Sequence, residues 1–162
     1  MNILVLSDSH SCMEFMERCV ERVRPDVLVH LGDYHRDGQK LHRLYPDIPF
    51  YQVPGNCDEY GYADCGPATV VEKIGGVKLY MTHGHRHRVK SSVCALLRDA
   101  RAAGAAAVLY GHTHIPDCHR EEDGLWVLNP GTCGYFGSTA GLIEIQDGGI
   151  VRCSILAGDG MP

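Results

Sequence analysis

The stretch Asn2-Ile3-Leu4-Val5-Leu6-Ser7-Asp8-Ser9-His10 decides the fold, because an apolar run ends abruptly in two residues that can bind a metal. Ile3 to Leu6 is short and unbroken, which is typical of a strand buried on both faces of a parallel α/β sheet. If the backbone stays extended through Ser9, the side chains of Asp8 and His10 point to one side, about 6–7 Å apart at their Cα atoms. The stretch therefore predicts a carboxylate and an imidazole that share one cation.

Four further stretches repeat this pattern of an apolar run followed by Asp, Asn or His. In open α/β sheets the ligand crevice lies outside the carboxyl ends of the strands, so we expect the five strand ends to converge. The sequence thus predicts a metal site where they meet. The four stretches are 27–33, ending in Gly32-Asp33; 50–58, ending in Gly55-Asn56-Cys57-Asp58; 78–85, ending in His83-Gly84-His85; and 107–114, ending in Gly111-His112-Thr113-His114.

Each of these motifs is weak alone, but the ordered set is specific. It resembles the calcineurin-like metallophosphoesterase superfamily, and its short length and Gly-Asn-Cys-Asp motif resemble the small prokaryotic phosphodiesterases of the YfcE type. The resemblance covers residues 1 to about 155. It implies an α/β fold, a four-layer α/β/β/α sandwich of two mixed sheets flanked by helices, in one domain over residues 1–162.

The donors number two carboxylates, one amide oxygen and four imidazoles, which is too many for one ion and suits two ions that share a carboxylate. The resemblance implies that Asp33 bridges two metals. It assigns Asp8, His10 and His114 to one ion and Asn56, His83 and His112 to the other, and it makes Asn56, His83 and His112 the catalytic residues.

A pair of metals would stabilise both the attacking oxygen and the leaving oxygen of an in-line displacement at phosphorus. A water or hydroxide held between them would have its pKa lowered towards neutrality and would supply the nucleophile. The mixed nitrogen and oxygen ligands suit manganese, iron, zinc or nickel, and affinity alone does not select one. Of these metals we expect manganese. As substrate we expect a small phosphate ester, most simply a phosphodiester.

Three residues beside these ligands are candidates for substrate contact. His85 lies two residues after His83 and could touch substrate. Arg86 could pair with phosphate oxygens, although a solvated arginine is the commoner interpretation. Cys57 stands where the larger superfamily has a histidine that protonates the leaving group. Beside two cations we expect its pKa to fall, leaving a thiolate with no proton to give; the alternative is that Cys57 only packs.

Composition narrows the class of protein. The 162 residues are 44% hydrophobic and 22% charged with a net charge of −5, so we expect no stable nucleic-acid complex. No apolar run approaches the ~20 residues of a membrane span, and no signal peptide is visible. The eight cysteines show no disulfide spacing, so we expect a cytoplasmic protein with reduced thiols used mostly as core residues. Homo-oligomerisation is left open.

The remaining pattern predicts the other elements. Ser11 and Glu14 fit a capping box for a helix that ends near Val23. We expect a short helix over 38–45, a loop over the site at 59–67, a hairpin over 68–81 and a helix over 91–103. Strands are expected at 125–128, 141–145 and 150–155.

Two other functions compete with a phosphodiesterase. A phosphomonoesterase or nucleotidase would use the same ligands. A metal-poor scaffold for protein contacts, like the retromer subunit that resembles this family, would be favoured by loss of ligands, and none is lost here. A cysteine-based zinc or redox module would need clustered cysteines, which are absent.

Overall fold

The structure is a computed structural model that describes residues 1–58, 65–134 and 137–158. A 3₁₀ turn covers His85–His87. The strands in these ranges are β1 (Asn2–Leu6), β2 (Val27–His30), β3 (Phe50–Gln52), β4 (Thr69–Ile74), β5 (Val77–Thr82), β6 (Ala107–Leu109), β7 (Asp117–Arg120), β8 (Trp126–Asn129), β9 (Thr139–Gln146) and β10 (Gly149–Ala157). The helices are α1 (Met13–Val23), α2 (His35–Leu44) and α3 (Cys94–Ala102).

The strands form two mixed sheets of five strands each. Sheet A has the order β10-β9-β1-β2-β3, with β1, β2 and β3 parallel and β9 antiparallel to both β1 and β10. Sheet B has the order β4-β5-β6-β8-β7, with β5, β6 and β8 parallel and the two edge strands antiparallel. The parallel strands at the centre of both sheets point their carboxyl ends towards the predicted site.

Three apolar clusters show that the layers are stacked as helices, sheet A, sheet B and helix. Val5 of sheet A and Leu109 of sheet B lie in one cluster between the sheets. Leu4, on the other face of β1, packs with Phe15 of α1. On the far side, Leu96 of α3 packs with residues of sheet B. Because β1 is buried on both faces, its sequence is continuously apolar. The predicted four-layer fold is confirmed.

Several local predictions differ from the structure. The capping box is wrong, because α1 has Cys12 at its N-cap and no side-chain capping bond, and the Ser11 amide donates to Asp37 instead. Helix α2 begins at His35, three residues earlier than predicted. Strand β7 was not predicted, because its polar sequence has no apolar run. Most of the loop expected over 59–67 lies outside the described residues.

Cysteines occur mainly in the core, as predicted. Cys12, Cys19 and Cys133 pack in the cluster between sheet A and its helices, and Cys118 and Cys153 pack against the cluster between the sheets. No disulfide occurs among the eight cysteines, all of which the structure describes. None of the helices in the described part of the chain is long and apolar enough to cross a membrane.

Candidate metal centre

Asp8 follows β1 and is fully buried. Its Oδ2 accepts hydrogen bonds from the Ser7 hydroxyl at 2.5 Å and from the His112 amide at 3.0 Å. Its Oδ1 lies 3.1 Å from Nε2 of His114 and 4.0 Å from Nε2 of His83. Burial raises the pKa of Asp8, but the neighbouring His114, His83 and Ser7 outweigh burial, and the pKa lies below its ordinary value. The carboxylate is therefore ionised where a cation would sit.

Asp33 follows β2, and its two oxygens face the loop after β3. Oδ1 accepts the Cys57 amide at 2.9 Å and lies 3.5 Å from Nε2 of His83, while Oδ2 accepts the Cys57 thiol at 3.2 Å. The two loops touch so closely that a Cβ on Gly55 would stand 2.1 Å from Oδ1 of Asp33. Only glycine fits there, which explains the first residue of the Gly-Asn-Cys-Asp motif in physical terms.

His83 follows β5 and crosses from sheet B to sheet A. Its Nδ1 lies 2.7 Å from the carbonyl oxygen of Leu31, which can only accept, so Nδ1 carries a proton. In the neutral ring, Nε2 then presents a lone pair. This Nε2 faces the Asn56 Oδ1 at 3.2 Å and the Asp33 Oδ1 at 3.5 Å. A lone pair among oxygen acceptors is repulsive unless a cation stands between them.

The loop after β6 supplies His112 and His114. The His112 ring lies 5.1 Å from the His83 ring between centroids, and Nε2 of His114 lies 3.3 Å from Nε2 of His10. The Asp8 carboxylate, which accepts a hydrogen bond from His114, raises the pKa of His114. Burial is the main cause that lowers the pKa of His112 to about 4, and the neighbouring His83 and Lys90 add to it. His112 is thus held neutral, the form in which imidazole binds metals.

All seven predicted ligands meet at this edge of the sandwich. One ligand atom from each of Asp8, His10, Asp33 and His114 lies within 4.8 Å of the others. Asn56, His83 and His112 adjoin this group through the His83 contacts given above, and Asp33 lies between the two sets. Which ion each residue binds stays a prediction.

The backbone at five of the seven ligands is left-handed, which the sequence did not reveal. Asp8 has φ 52° and His10 has φ 43°, so the expected extended backbone through Ser9 is wrong. Asp33, His112 and His114 have φ between 53° and 69°. Non-glycine residues rarely adopt this conformation, and it clusters at functional sites where the surroundings enforce it.

Of the three candidate substrate residues, His85 and Cys57 lie beside this group. The His85 ring is half-buried, 5.2 Å from the His83 ring and 6.0 Å from the His112 ring between centroids. Arg86 is exposed in the same 3₁₀ turn. Cys57 is exposed, and its pKa is raised to about 11 by desolvation, by its hydrogen bond to Asp33 and by nearby carboxylates. The protein itself therefore favours the thiol, opposite to the thiolate expected from the effect of cations alone.

Two buried aspartates support the ligand loops. Asp37 of α2 accepts the Ser9 hydroxyl at 3.0 Å and the Ser11 amide at 2.8 Å, so its bonds flank His10. Asp58 accepts the His35 amide and the Gly55 amide, both at 2.8 Å, and joins the loops after β2 and β3. Asp37 was missed, because nothing in its local sequence marks it.

The loop after β8, at 129–132, braces the same edge. Asn129 donates to the Gly111 carbonyl and to the Thr113 hydroxyl, and Thr132 donates to the Asp8 carbonyl. These bonds fix the backbone around ligands from both sheets.

Comparison with known proteins identifies the family. Residues 1–148 match the calcineurin-like phosphoesterase superfamily domain, so the chain belongs to this superfamily. The family assignment made from the motifs is confirmed. The chain is 30% identical over 135 residues to the probable metallophosphoesterase YsnB of Bacillus subtilis, covering 82% of this chain and 75% of that protein.

Solved structures share the fold. A predicted phosphoesterase from Streptococcus pneumoniae superposes with a TM-score of 0.79 at 28% identity, covering 99% of this chain and 91% of that one. Vps29 from Entamoeba histolytica, in complex with zinc, superposes with a TM-score of 0.72 at 22% identity, covering 97% of this chain and 99% of that one. The phosphoesterase YfcE from E. coli superposes with a TM-score of 0.64 at 19% identity, covering 95% of this chain and 98% of that one. At these last two identities the likeness shows the fold alone.

The residues present fit a divalent metal. The buried Oδ1 of Asp8 accepts no hydrogen bond of regular geometry from the described residues. The Nε2 atoms of His10 and His114 point at each other, and Nε2 of His83 points at oxygens. Carboxylates and neutral imidazoles that converge in this way leave their lone pairs for a cation, and borderline first-row metals take this mixture of ligands.

Proposed function

We propose that this chain is a phosphodiesterase that depends on two divalent metal ions. The observation that carries the proposal is the convergence of seven oxygen and nitrogen donors whose lone pairs face one another at a single edge of the sandwich. Asp8, His10 and His114 would hold one ion, Asn56, His83 and His112 the other, and Asp33 both. When bound, the ions would activate water for in-line attack and neutralise charge on the phosphate. Manganese is the ion we propose first.

The protein contributes orientation and charge. The Leu31 carbonyl fixes the tautomer of His83, so that Nε2 is available towards the site. His112 is neutral near pH 7, because burial and neighbouring positive charge lower its pKa to about 4. His85 lies at the same edge and Arg86 follows it in the 3₁₀ turn, and we propose that both contact phosphate oxygens.

The position of Cys57 favours esters with good leaving groups. Its thiol donates to Asp33 at 3.2 Å, so its proton is directed at a carboxylate and away from a departing alkoxide. An enzyme without a general acid works best on esters whose leaving group departs unaided. Phosphodiesters with an aryl leaving group meet this requirement, whether or not the other ester group is a nucleoside, and alkyl phosphomonoesters do not.

A scaffold for protein contacts is the second candidate, because this chain shares its fold with vacuolar protein sorting 29 proteins. One of these, Vps29 from Entamoeba histolytica, was solved in complex with zinc. Metal binding alone therefore does not distinguish a scaffold from an enzyme. The complete ligand set and the left-handed backbone at five ligands favour catalysis here. The cytoplasmic location, the single-domain organisation and the question of a homo-oligomer stay predictions.

The test combines activity with thermal unfolding. Manganese-loaded protein should hydrolyse bis(p-nitrophenyl) phosphate faster than p-nitrophenyl phosphate, and a chelator should abolish both reactions. Metal that binds only the native state adds about 2.7 kcal/mol to the free energy of unfolding at a hundredfold excess over Kd. Chelation should therefore lower Tm by several degrees. An unchanged Tm and no hydrolysis of any ester would support the scaffold instead.

A further inference from the structure

A groove opens on the sheet B side of the metal centre. It has a volume of about 610 Å³, within the range typical of small-molecule sites. It is lined chiefly by Val89, Lys90, Tyr110, Thr113, Ile115 and Asp117. None of these residues is a proposed metal ligand or a proposed substrate contact of the function given above.

Chain connectivity places the groove against the proposed ligands. Thr113 stands between His112 and His114 in the sequence, so the loop that supplies two ligands also supplies a wall of the groove. Val89 and Tyr110 pack on Gly84, the residue after His83: a Cβ on Gly84 would stand 2.9 Å from Cγ2 of Val89 and 3.6 Å from Cβ of Tyr110. A phosphate ester at the metal centre would have one of its organic groups directed along this groove or into solvent.

The wall of the groove is apolar and held in place. Val89 and Tyr110 are buried in the cluster under α3, whereas Ile115 is 69% exposed. The Ile115 backbone is nevertheless fixed, because its amide donates to the Thr113 hydroxyl at 3.2 Å and Asn129 donates to the same hydroxyl at 2.9 Å. An exposed isoleucine on an ordered loop offers apolar area without an ordering cost on binding.

Charge around the groove selects what enters it. Lys90 is exposed, has no ion-pair partner among the described residues, and lines the groove together with Thr113, which lies between the ligands His112 and His114. Asp117 also borders the groove, where it accepts the Tyr110 hydroxyl at 3.5 Å and Nδ1 of His119 at 3.0 Å. Lys90 favours an anionic phosphate beside the metal centre, and Asp117 disfavours a second anion farther along.

We propose that this groove binds one ester group of the substrate and selects a planar, uncharged ring of the aryl or nucleobase type. Ile115 and Val89 contact the face of the ring, and Lys90 attracts the phosphate to which the ring is attached. Ile115 is thus a specificity-determining residue. The inference rests on the proposed phosphodiesterase function, because that function places the phosphate at the metal centre.

Binding tests the groove without turnover. Phenylphosphonate and methylphosphonate carry the same anionic group and differ in the ring, and their affinities for manganese-loaded protein are measured by calorimetry. We expect the phenyl compound to bind about tenfold more tightly, a difference of about 1.4 kcal/mol. In Ile115→Ser the preference should fall to about threefold or less. Val151→Ser, which alters another exposed apolar residue on β10, is the matched control and should keep the wild-type preference.

A second measurement shows whether the groove prefers an aryl ring or a nucleobase. The ratio of kcat/KM for phenyl p-nitrophenyl phosphate to that for methyl p-nitrophenyl phosphate should exceed one and should fall in Ile115→Ser. The same ratio with the thymidine ester in place of the phenyl ester shows whether a nucleobase is preferred to an aryl ring. Lys90→Gln should weaken both phosphonates by a similar factor, and Lys73→Ala, a distant lysine on β4, should weaken neither.

The outcomes distinguish the groove from the proposed function. Equal affinity of the wild type for the two phosphonates, or an undiminished phenyl preference in Ile115→Ser, would contradict the proposal that the groove binds a ring. Neither result would contradict diester hydrolysis. Phosphonate binding with the ring preference but without hydrolysis of any diester would support the groove and contradict the proposed function. If neither phosphonate binds the loaded protein, both are wrong.

Discussion

The two sheets bring different chemistry to the same edge. The loops of sheet A supply all the oxygen donors of the proposed centre, from Asp8, Asp33 and Asn56, together with one imidazole. The loops of sheet B supply three imidazoles and no carboxylate. Neither set of donors is favourable alone. The sheet A loops bring negative charge together in a buried place, and the sheet B loops bring together imidazole rings whose lone pairs lack partners.

Each sheet also orients the donors of the other. The Leu31 carbonyl of sheet A fixes the tautomer of His83 in sheet B, and the His112 amide of sheet B holds one oxygen of Asp8 in sheet A. The centre is therefore a product of sheet packing, and the apolar cluster between the sheets sets its geometry. This dependence predicts that substitutions on the sheet A side, where the shared oxygen lies, have the larger effects.

The largest effect is expected from Asp33→Ala, which removes the carboxylate that faces both sets of donors. Metal analysis should find both ions lost or nearly so, and kcat should fall at least about 10³-fold, since metal ions contribute several kcal/mol to such transition states. Asp8→Ala should chiefly deplete one ion. Two metals per chain in purified Asp33→Ala protein would show that the carboxylate does not bridge.

The metal ligands could be predicted from sequence, because each donor closely follows an apolar run and because the carboxyl ends of parallel strands meet at one edge of a sheet. Asp37 and Lys90 could not be predicted, because each acts through contacts between distant segments and has no local pattern. The left-handed backbone was missed for a related reason: contacts in the folded loops override the preference of Asp and His for right-handed or extended conformations. Strand β7 was missed because pairing with β8 at a sheet edge needs no apolar run.

The second effect concerns His30, the histidine of sheet A that takes no part in the centre. It is fully buried, as expected for a core histidine. Its Nδ1 lies 3.4 Å from the Gly32 amide nitrogen and 3.3 Å from Nε2 of Gln52, and its Nε2 has no partner among the described residues. Desolvation lowers its pKa from 6.5 to about 4. Between these values the unfolded chain takes up a proton that the native state does not, so stability is lost as the pH falls.

We expect this single group to remove about 2 kcal/mol from the free energy of unfolding between pH 7.5 and pH 5. Urea unfolding of chelated wild type and His30→Gln at a series of pH values measures it, because the metal ligands are common to both proteins. The two stability curves should converge as the pH falls. Parallel curves would mean that His30 is protonated to the same extent in both states.

The third effect tests the support of the sheet A loops. Asp37→Ala removes the acceptor of the Ser9 hydroxyl and the Ser11 amide, and should weaken metal binding through His10 by about tenfold, as is common for groups that orient ligands. Asp37→Asn retains one acceptor and should recover part of this loss. Titration of the apoprotein with manganese gives the affinities.

Asp26→Ala is the matched control, because Asp26 also accepts a backbone amide, that of Asn2 at 2.6 Å, at the opposite end of sheet A. It should reduce stability without changing metal affinity. If the two alanine variants bind manganese equally well, Asp37 acts on stability alone.

The smallest effect is expected at Cys57, whose sulfur lies beside the oxygen donors. In the larger superfamily pattern a histidine at this place can donate a proton to the leaving group, whereas the Cys57 thiol donates to Asp33. Without a general acid the rate should depend steeply on leaving-group pKa across a series of aryl and alkyl phosphodiesters. Cys57→His should flatten that slope, with about tenfold gain on the poorest leaving groups and almost none on p-nitrophenol. Cys94→His, at an exposed cysteine on α3, is the control and should keep the wild-type slope. A shallow slope that Cys57→His leaves unchanged would mean that Cys57 only packs against Asp33 and has no influence on the choice of leaving group.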